Sequence, residues 1–213
     1  MNGMNYKSDG MDLFPRMAVG VMGSAGGELS ADVCARVERF GALVGERNHV
    51  LVTGAAPGLP QHAVLGAKRA GGVVVGVSPA LNLEEHVHKY RSPTRGYDTI
   101  VFTGSGLMGR EIENIRTCDV VMFAGGRSGT LGEFAIAYDE GKVIGVLCGT
   151  GGIADSIEDI LKMINKEANA ILVFESDSEM LRNELERVYL ERLLPLHIDI
   201  TEGHNPDGVL DPN

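Results

Sequence analysis

The 213-residue chain contains no tryptophan, only three cysteines, and no apolar run that approaches the length of a membrane span. Each absence narrows the field. Cys34, Cys118 and Cys148 are odd in number, far apart and without a C-x-x-C pair. That argues against a disulfide framework and against a zinc site, and for reduced thiols. The opening stretch, MNGMNYKSDGMDLFP, lacks the apolar core of a secretory leader. The expectation is a soluble, cytoplasmic protein with no membrane partner. Positive charge is scarce as well. With 19 basic and 29 acidic residues the net charge is −10, which argues against nucleic acid as a partner but leaves a small phosphate open to a local cluster of donors.

Two common nucleotide motifs are also missing. Gly20, Gly23 and Gly26 are spaced G-x-x-G-x-x-G rather than G-x-G-x-x-G, and the second apolar run ends in Thr53-Gly54 with no acid for a ribose diol. NAD therefore fits poorly. The stretch Gly104-Ser105-Gly106-Leu107-Met108-Gly109-Arg110-Glu111 imitates a P-loop but lacks its Lys-Ser/Thr pair, which disfavours a kinase or ATPase. Ser128 and Thr130 have no His and Asp partners at a recognisable motif. His86 and His88, beside Glu84 and Glu85, could suggest a metal, but no third anchor accompanies them and a solvated face is the simpler reading. No metal and no cofactor is expected.

What remains is an alternation of short apolar runs and amphipathic stretches. Strands are predicted at Met17–Met22, Val50–Thr53, Val73–Val77, Thr99–Thr103, Asp119–Ala124, Val143–Leu147 and Ile171–Phe174. Between them lie helices: one capped by Ser30 with Val33, Val37, Phe40 and Val44 inward, one ending near Arg69, one with Arg110 in its first turn, one carrying Glu133, and one over Ile153–Ile164. Ser176-Asp177-Ser178-Glu179 reads as a capping box opening the last helix. From Pro79 to Asp98 there is no sustained periodicity, and a polar loop of that length reads as a lid, a binding loop or a disordered insertion. The expected fold class is α/β: a Rossmann-like, doubly wound sheet of about seven mostly parallel strands with helices on both faces. A single domain is expected over 16–194, between a flexible lead-in (1–15) and a flexible tail (195–213).

In such sheets ligands bind at the carboxyl ends of the strands, and glycine turns follow Met22, Thr53, Thr103 and Ala124 there. The richest turn is Gly125-Gly126-Arg127-Ser128-Gly129-Thr130, between an apolar strand and a helix. A turn of this kind aims free N–H groups and the positive end of a helix dipole at one point, where an anion, above all a phosphate, fits. Glu133 could be an acid stabilised by that dipole or a chemical group. Arg110 in a first turn would oppose the dipole of its own helix, which points to an outside partner.

The run Gly125-Gly126-Arg127-Ser128-Gly129-Thr130-Leu131-Gly132-Glu133 resembles the P-G-G-x-G-T-x-x-E signature of the LOG (Lonely Guy) family and its wider relatives, sometimes labelled lysine decarboxylases. Thr53-Gly54-Ala55-Ala56-Pro57-Gly58-Leu59 resembles the family's T-G-G-G-P-G-x turn, and Val19-Gly20-Val21-Met22-Gly23-Ser24 its first strand and turn. The resemblance spans roughly residues 17 to 175. It implies a nucleoside 5′-monophosphate phosphoribohydrolase, with Arg110 and Glu133 catalytic and Gly23, Ser24, Gly54, Gly58, Gly125, Gly126, Arg127, Ser128, Gly129 and Thr130 holding the ligand. A homodimer is implied too. The chain departs from the pattern at Gly125 (for proline), Arg127, Ala55 and Ala56 (for glycines). Arg127 could obstruct the phosphate or bind it. The Arg110 region is closer to a divergent branch that includes molybdenum-cofactor carrier proteins, which hold a pterin phosphate without cleaving it. A non-catalytic carrier or sensor is therefore the rival reading.

Overall fold

The computed structural model describes residues 15–202 without a break, together with Lys7, Ser8, Met11, Asp12, His204, Asn205 and Gly208. Most of the lead-in expected over 1–15, and residues 203, 206–207 and 209–213 of the tail, lie outside the described residues. Lys7–Ser8 pairs with Met11–Asp12 as a two-residue antiparallel ladder. The rest is one sheet of seven parallel strands: β1 (Ala18–Gly23), β2 (Val50–Thr53), β3 (Val73–Ser78), β4 (Thr99–Phe102), β5 (Val120–Ala124), β6 (Val143–Leu147) and β7 (Ile171–Glu175). Their spatial order is β4-β3-β2-β1-β5-β6-β7. The expected doubly wound sheet is the fold observed.

Alternate residues of each strand face opposite sides, and both sides are covered. Val19, Val21, Val120 and Met122 pack under α1 (Ala31–Glu46), α2 (Leu59–Arg69) and α6 (Ser178–Val188). Met22, Val121 and Phe123 pack with Phe134 and Ile157 under α3 (Gly106–Thr117), α4 (Ser128–Asp139) and α5 (Ile157–Ile164). Such two-sided burial explains why β5 and β6 are apolar throughout instead of alternating. The α1–α2 pair is drawn together by glycines. A Cβ on Gly41 would meet Ala63 O at 2.0 Å, and one on Gly66 would meet Glu38 O at 1.9 Å.

Four local expectations are corrected. α3 begins at Gly106, so Arg110 is its fifth residue and stands beyond the first turn, where the dipole no longer opposes it. The last long helix is capped by Asp177, whose carboxylate accepts from the N–H groups of Glu179 and Met180 (2.9 and 2.8 Å), not by Ser176. The chain past residue 193 is a further helix, α7 (Leu194–Thr201), with Pro195 in its first turn where no N–H is needed. Finally, the segment 79–98 is built and anchored. His86 is buried, its Nδ1 faces Ser78 Oγ at 2.9 Å and its Nε2 faces the Pro93 carbonyl at 3.0 Å, within a single wide helical turn, Glu85–Lys89. His88 is exposed. The two histidines therefore do not share the solvated face read from the sequence. Among the described residues no group of three His, Cys, Asp or Glu side chains is placed to hold a metal, and no helix is long and apolar enough to cross a membrane.

Candidate functional site

The strand order reverses between β1 and β5, and this is where open α/β sheets leave a crevice at their carboxyl edge. A cavity of about 340 Å³ lies there. Gly23 at the end of β1 with Ser24 and Ala25 after it forms one wall, Gly54 and Ala56 after β2 a second, and the start of α4 a third. α3 closes the fourth side. It leaves the edge strand β4 and runs back across the sheet to reach β5, which carries Arg110 from the periphery to the centre.

The wall made by α4 presents helix N-terminal amides, the kind of group that can donate to an anion. Ser128, Gly129 and Thr130 are its first three residues, and the first N–H to find an acceptor in the helical manner is that of Leu131, on Arg127 O at 3.0 Å. The preceding amides are those a helix leaves unpaired. Ser128 and Gly129 are exposed at the cavity and Thr130 is buried behind them. The Arg127 side chain is also exposed there, its guanidinium 3.8 Å from where a Cβ on Gly26 would stand.

Opposite, Arg110 and Glu133 form a buried pair, Nη1 to Oε1 at 3.2 Å, with each side chain 9% exposed. Room for the guanidinium depends on Gly54, where a Cβ would come within 2.1 Å of Nη1. Arg110 Nε, also buried, has no hydrogen-bond partner. Burial lifts the Glu133 carboxyl to about 7. The Arg110 charge opposes that rise, Glu111 adds to it, and the Asn114 amide eases it. Glu133 is the sixth residue of α4, too far along for the dipole to account for it. A carboxyl poised near neutrality beside a fixed cation, a few residues from unpaired amides, can exchange a proton with a molecule held by its phosphate.

The structure thus brings Gly23, Ser24, Gly54, Arg110, Arg127, Ser128, Gly129, Thr130 and Glu133 to one cavity. Three other expected residues stand behind it. The Gly125 N–H donates to Thr150 Oγ1 (2.8 Å) and the Gly126 N–H to Ser24 Oγ (2.7 Å), so both amides are occupied in holding the turn. Both glycines are needed for their positive φ of 60° and 100°. Gly58 supports the α2 start against the β1 turn, where a Cβ would meet Ser24 O at 2.2 Å. The Gly104 turn packs on Leu81 and lines no part of the cavity. Glu111, Leu107 and Pro60, which line the cavity, were not singled out for the site from sequence, nor was Asn114, which donates to Met22 Sδ at 3.1 Å. Glu111 was legible in principle as a second acid one residue past Arg110.

Comparison with known proteins locates this architecture. Residues 16–181 match the sequence profile of the SLOG cluster4 family. The chain is 31% identical over 131 residues to an uncharacterised protein of Archaeoglobus fulgidus, a match covering 62% of this chain and 80% of that one. The molybdenum cofactor binding protein of Rippkaea orientalis superposes with a TM-score of 0.67 at 27% identity, over 81% of this chain and 97% of that one. The molybdenum cofactor carrier protein of Chlamydomonas reinhardtii gives 0.66 at 23% identity, over 82% and 99%, a likeness of fold.

Proposed function

This chain belongs to the SLOG cluster4 family, the divergent LOG-like branch near the molybdenum-cofactor carriers, and on that premise we propose that its cavity binds a nucleoside 5′-monophosphate and hydrolyses its N-glycosidic bond. The phosphate would lie on the amides of Ser128, Gly129 and Thr130 with Arg127 alongside. Water adds to C1′ of the ribose as the C1′–N bond breaks. The bonding electrons leave with the base, the water proton passes to Glu133, and from there it neutralises the departing nitrogen. Free base and ribose 5-phosphate result. Glu133 also steadies the positive charge that develops on the sugar, as carboxylates do in glycoside hydrolysis. Arg110 holds Glu133 and the substrate in register.

The observation that carries this reading is the buried Arg110–Glu133 pair itself. A buried ion pair is weak as a device for stability, whereas a carboxyl shifted toward neutrality at a cavity wall is what acid–base chemistry requires. A second reading is a carrier that binds without turnover. It is favoured by the 27% identity to a molybdenum cofactor binding protein and by Ala55, Ala56 and Arg127 at signature glycines. The resemblance to LOG proteins further supports a homodimer, and exposed Leu107 and Met108 beside the cavity are apolar surface that a second copy would cover.

The test is to incubate the protein with each nucleoside 5′-monophosphate and chromatograph the mixture for free base, with thermal shift to score binding. Release that disappears in Glu133→Gln while binding persists is the expected result. Monophosphates or pterin phosphates that stabilise the protein with no base released, equally in wild type and Glu133→Gln, would overturn the hydrolase and leave the carrier.

A further inference from the structure

The cavity holds a second carboxylate that the mechanism above does not use. Glu111 lines the wall one residue past Arg110 and is half-buried. Its carboxylate lies along the bare flank of the first two turns of α4. A Cβ on Gly132 would stand 3.0 Å from its Oε2, and one on Gly129 would stand 3.4 Å from its Oε1. Glycine at these two helical positions, where helix propensity argues against it, is what leaves the slot open. Among the described residues, no hydrogen-bond donor and no cation at ion-pairing distance meets the carboxylate. Partial burial raises its pKa, the charge of Arg110 opposes that rise from farther off, and Glu133 is the neighbouring acid across the cavity.

A half-buried carboxylate with no donor from the protein keeps its acceptor capacity for whatever enters the cavity. A phosphate on the amides of residues 128–130 cannot supply donors, since it brings acceptors and like charge. The next groups along a nucleotide are the sugar hydroxyls, which are neutral donors on adjacent carbons, the geometry a carboxylate accepts with both oxygens.

The geometry points to Glu111 as the specificity-determining residue of the site, accepting hydrogen bonds from the vicinal hydroxyls of the ribose and so selecting ribose over 2-deoxyribose. This rests on the reading of the cavity as a nucleotide site. It needs no assumption about the base and none about turnover, because ribose 5-phosphate contains every group involved. The end of β2, where dinucleotide-binding folds carry their diol acid, has Thr53-Gly54 instead. Glu111 would supply that function from α3.

The experiment is calorimetric titration of wild type, Glu111→Gln and Glu111→Ala with three probes: inorganic phosphate, ribose 5-phosphate and 2-deoxyribose 5-phosphate. Wild type is expected to prefer ribose 5-phosphate over the deoxy compound by on the order of tenfold, the usual worth of one hydrogen bond to a charged group. Both variants should lose that preference. They should also bind inorganic phosphate as tightly as wild type or more so, because a negative charge has been removed from beside an anion. That opposite movement of two affinities is something a merely structural role would not produce, and unchanged melting temperatures would confirm that the fold is intact. Wild type binding phosphate with no ribose preference, or variants weakened equally toward all three probes, overturns the role of Glu111 while leaving the anion site standing. A wild type that binds none of the probes overturns the nucleotide reading and this assignment together.

Discussion

Replacing Glu133 by glutamine should make the protein more stable at pH 8 and leave it nearly unchanged near pH 4.5. The carboxyl titrates at about 7 in the folded protein against 4.5 for an unperturbed group, chiefly because it is buried. Between those two values the folded state retains a proton that the unfolded chain has released. Stability therefore falls with rising pH across that window: it is fully present below pH 4.5 and fully lost above pH 7. At 1.36 kcal/mol per pH unit, the displacement from 4.5 to about 7 amounts to about 3 kcal/mol. Glutamine imitates the protonated form and does not titrate, so Glu133→Gln escapes the loss. For a domain of this size that is roughly 6–12 °C in Tm at pH 8. Urea denaturation of both proteins at pH 5 and pH 8 measures the gap and its growth. Glu111, lifted in the same direction, tilts both proteins alike and cancels to first order in the difference. A variant less stable than wild type at pH 8, or a gap that is the same at both pH values, would refute the burial of an ionisable Glu133 against Arg110.

Other perturbations probe the parts around that pair. Gly54→Ala forces the Arg110 guanidinium away from its 3.2 Å contact with Glu133; under the proposed hydrolysis, base release should drop by ~100-fold, and under either reading the Glu133 carboxyl, followed by carbon NMR, should titrate still higher. Arg127→Ala should weaken binding of inorganic phosphate by about tenfold, the value of a charge-assisted hydrogen bond, and flatten its salt dependence; an affinity unchanged at low and high salt would remove Arg127 from the site. Gly66→Ala drives a methyl into the Glu38 carbonyl across the α1–α2 contact, so destabilisation at or beyond the upper end of the roughly 1–3 kcal/mol typical of overpacking is expected in urea denaturation.

How much of this was legible in sequence follows from what each element depends on. The strands were visible because burial on both faces demands continuous apolar runs, and Val143–Leu147 has no other interpretation. The anion turn was visible because glycines at positive φ cannot be replaced cheaply. The direction of individual amides was not. Whether Gly125 and Gly126 face a ligand or Thr150 and Ser24 is decided by loops 25 and 102 residues away, and no local pattern encodes it. That the segment 79–98 is ordered was hidden for a similar reason. It is held by tertiary contacts without periodicity, such as His86 buried between Ser78 and Pro93 and Asp98 bound to Lys68 and the Val74 N–H. Glu111 escaped notice because its environment is made by glycines on another helix, Gly129 and Gly132. The Asp177 cap was missed by one residue, since Ser176, Asp177 and Ser178 are all competent N-caps.

The strand order has a consequence for how the protein is made. β1 to β4 pair in the order in which they leave the ribosome, but the other edge of β1 waits for β5, which begins at Val120. Through the synthesis of about a hundred residues the nascent sheet carries Val19 and Val21 beside an open edge, both of them buried in the finished protein. Such an edge is a template for pairing with another chain. Nascent fragments ending before β5 should accordingly be the aggregation-prone species. The half-site at Gly23 and Gly54 exists before the α4 amides do, so a phosphate ligand can stabilise only chains whose translation has passed Glu133.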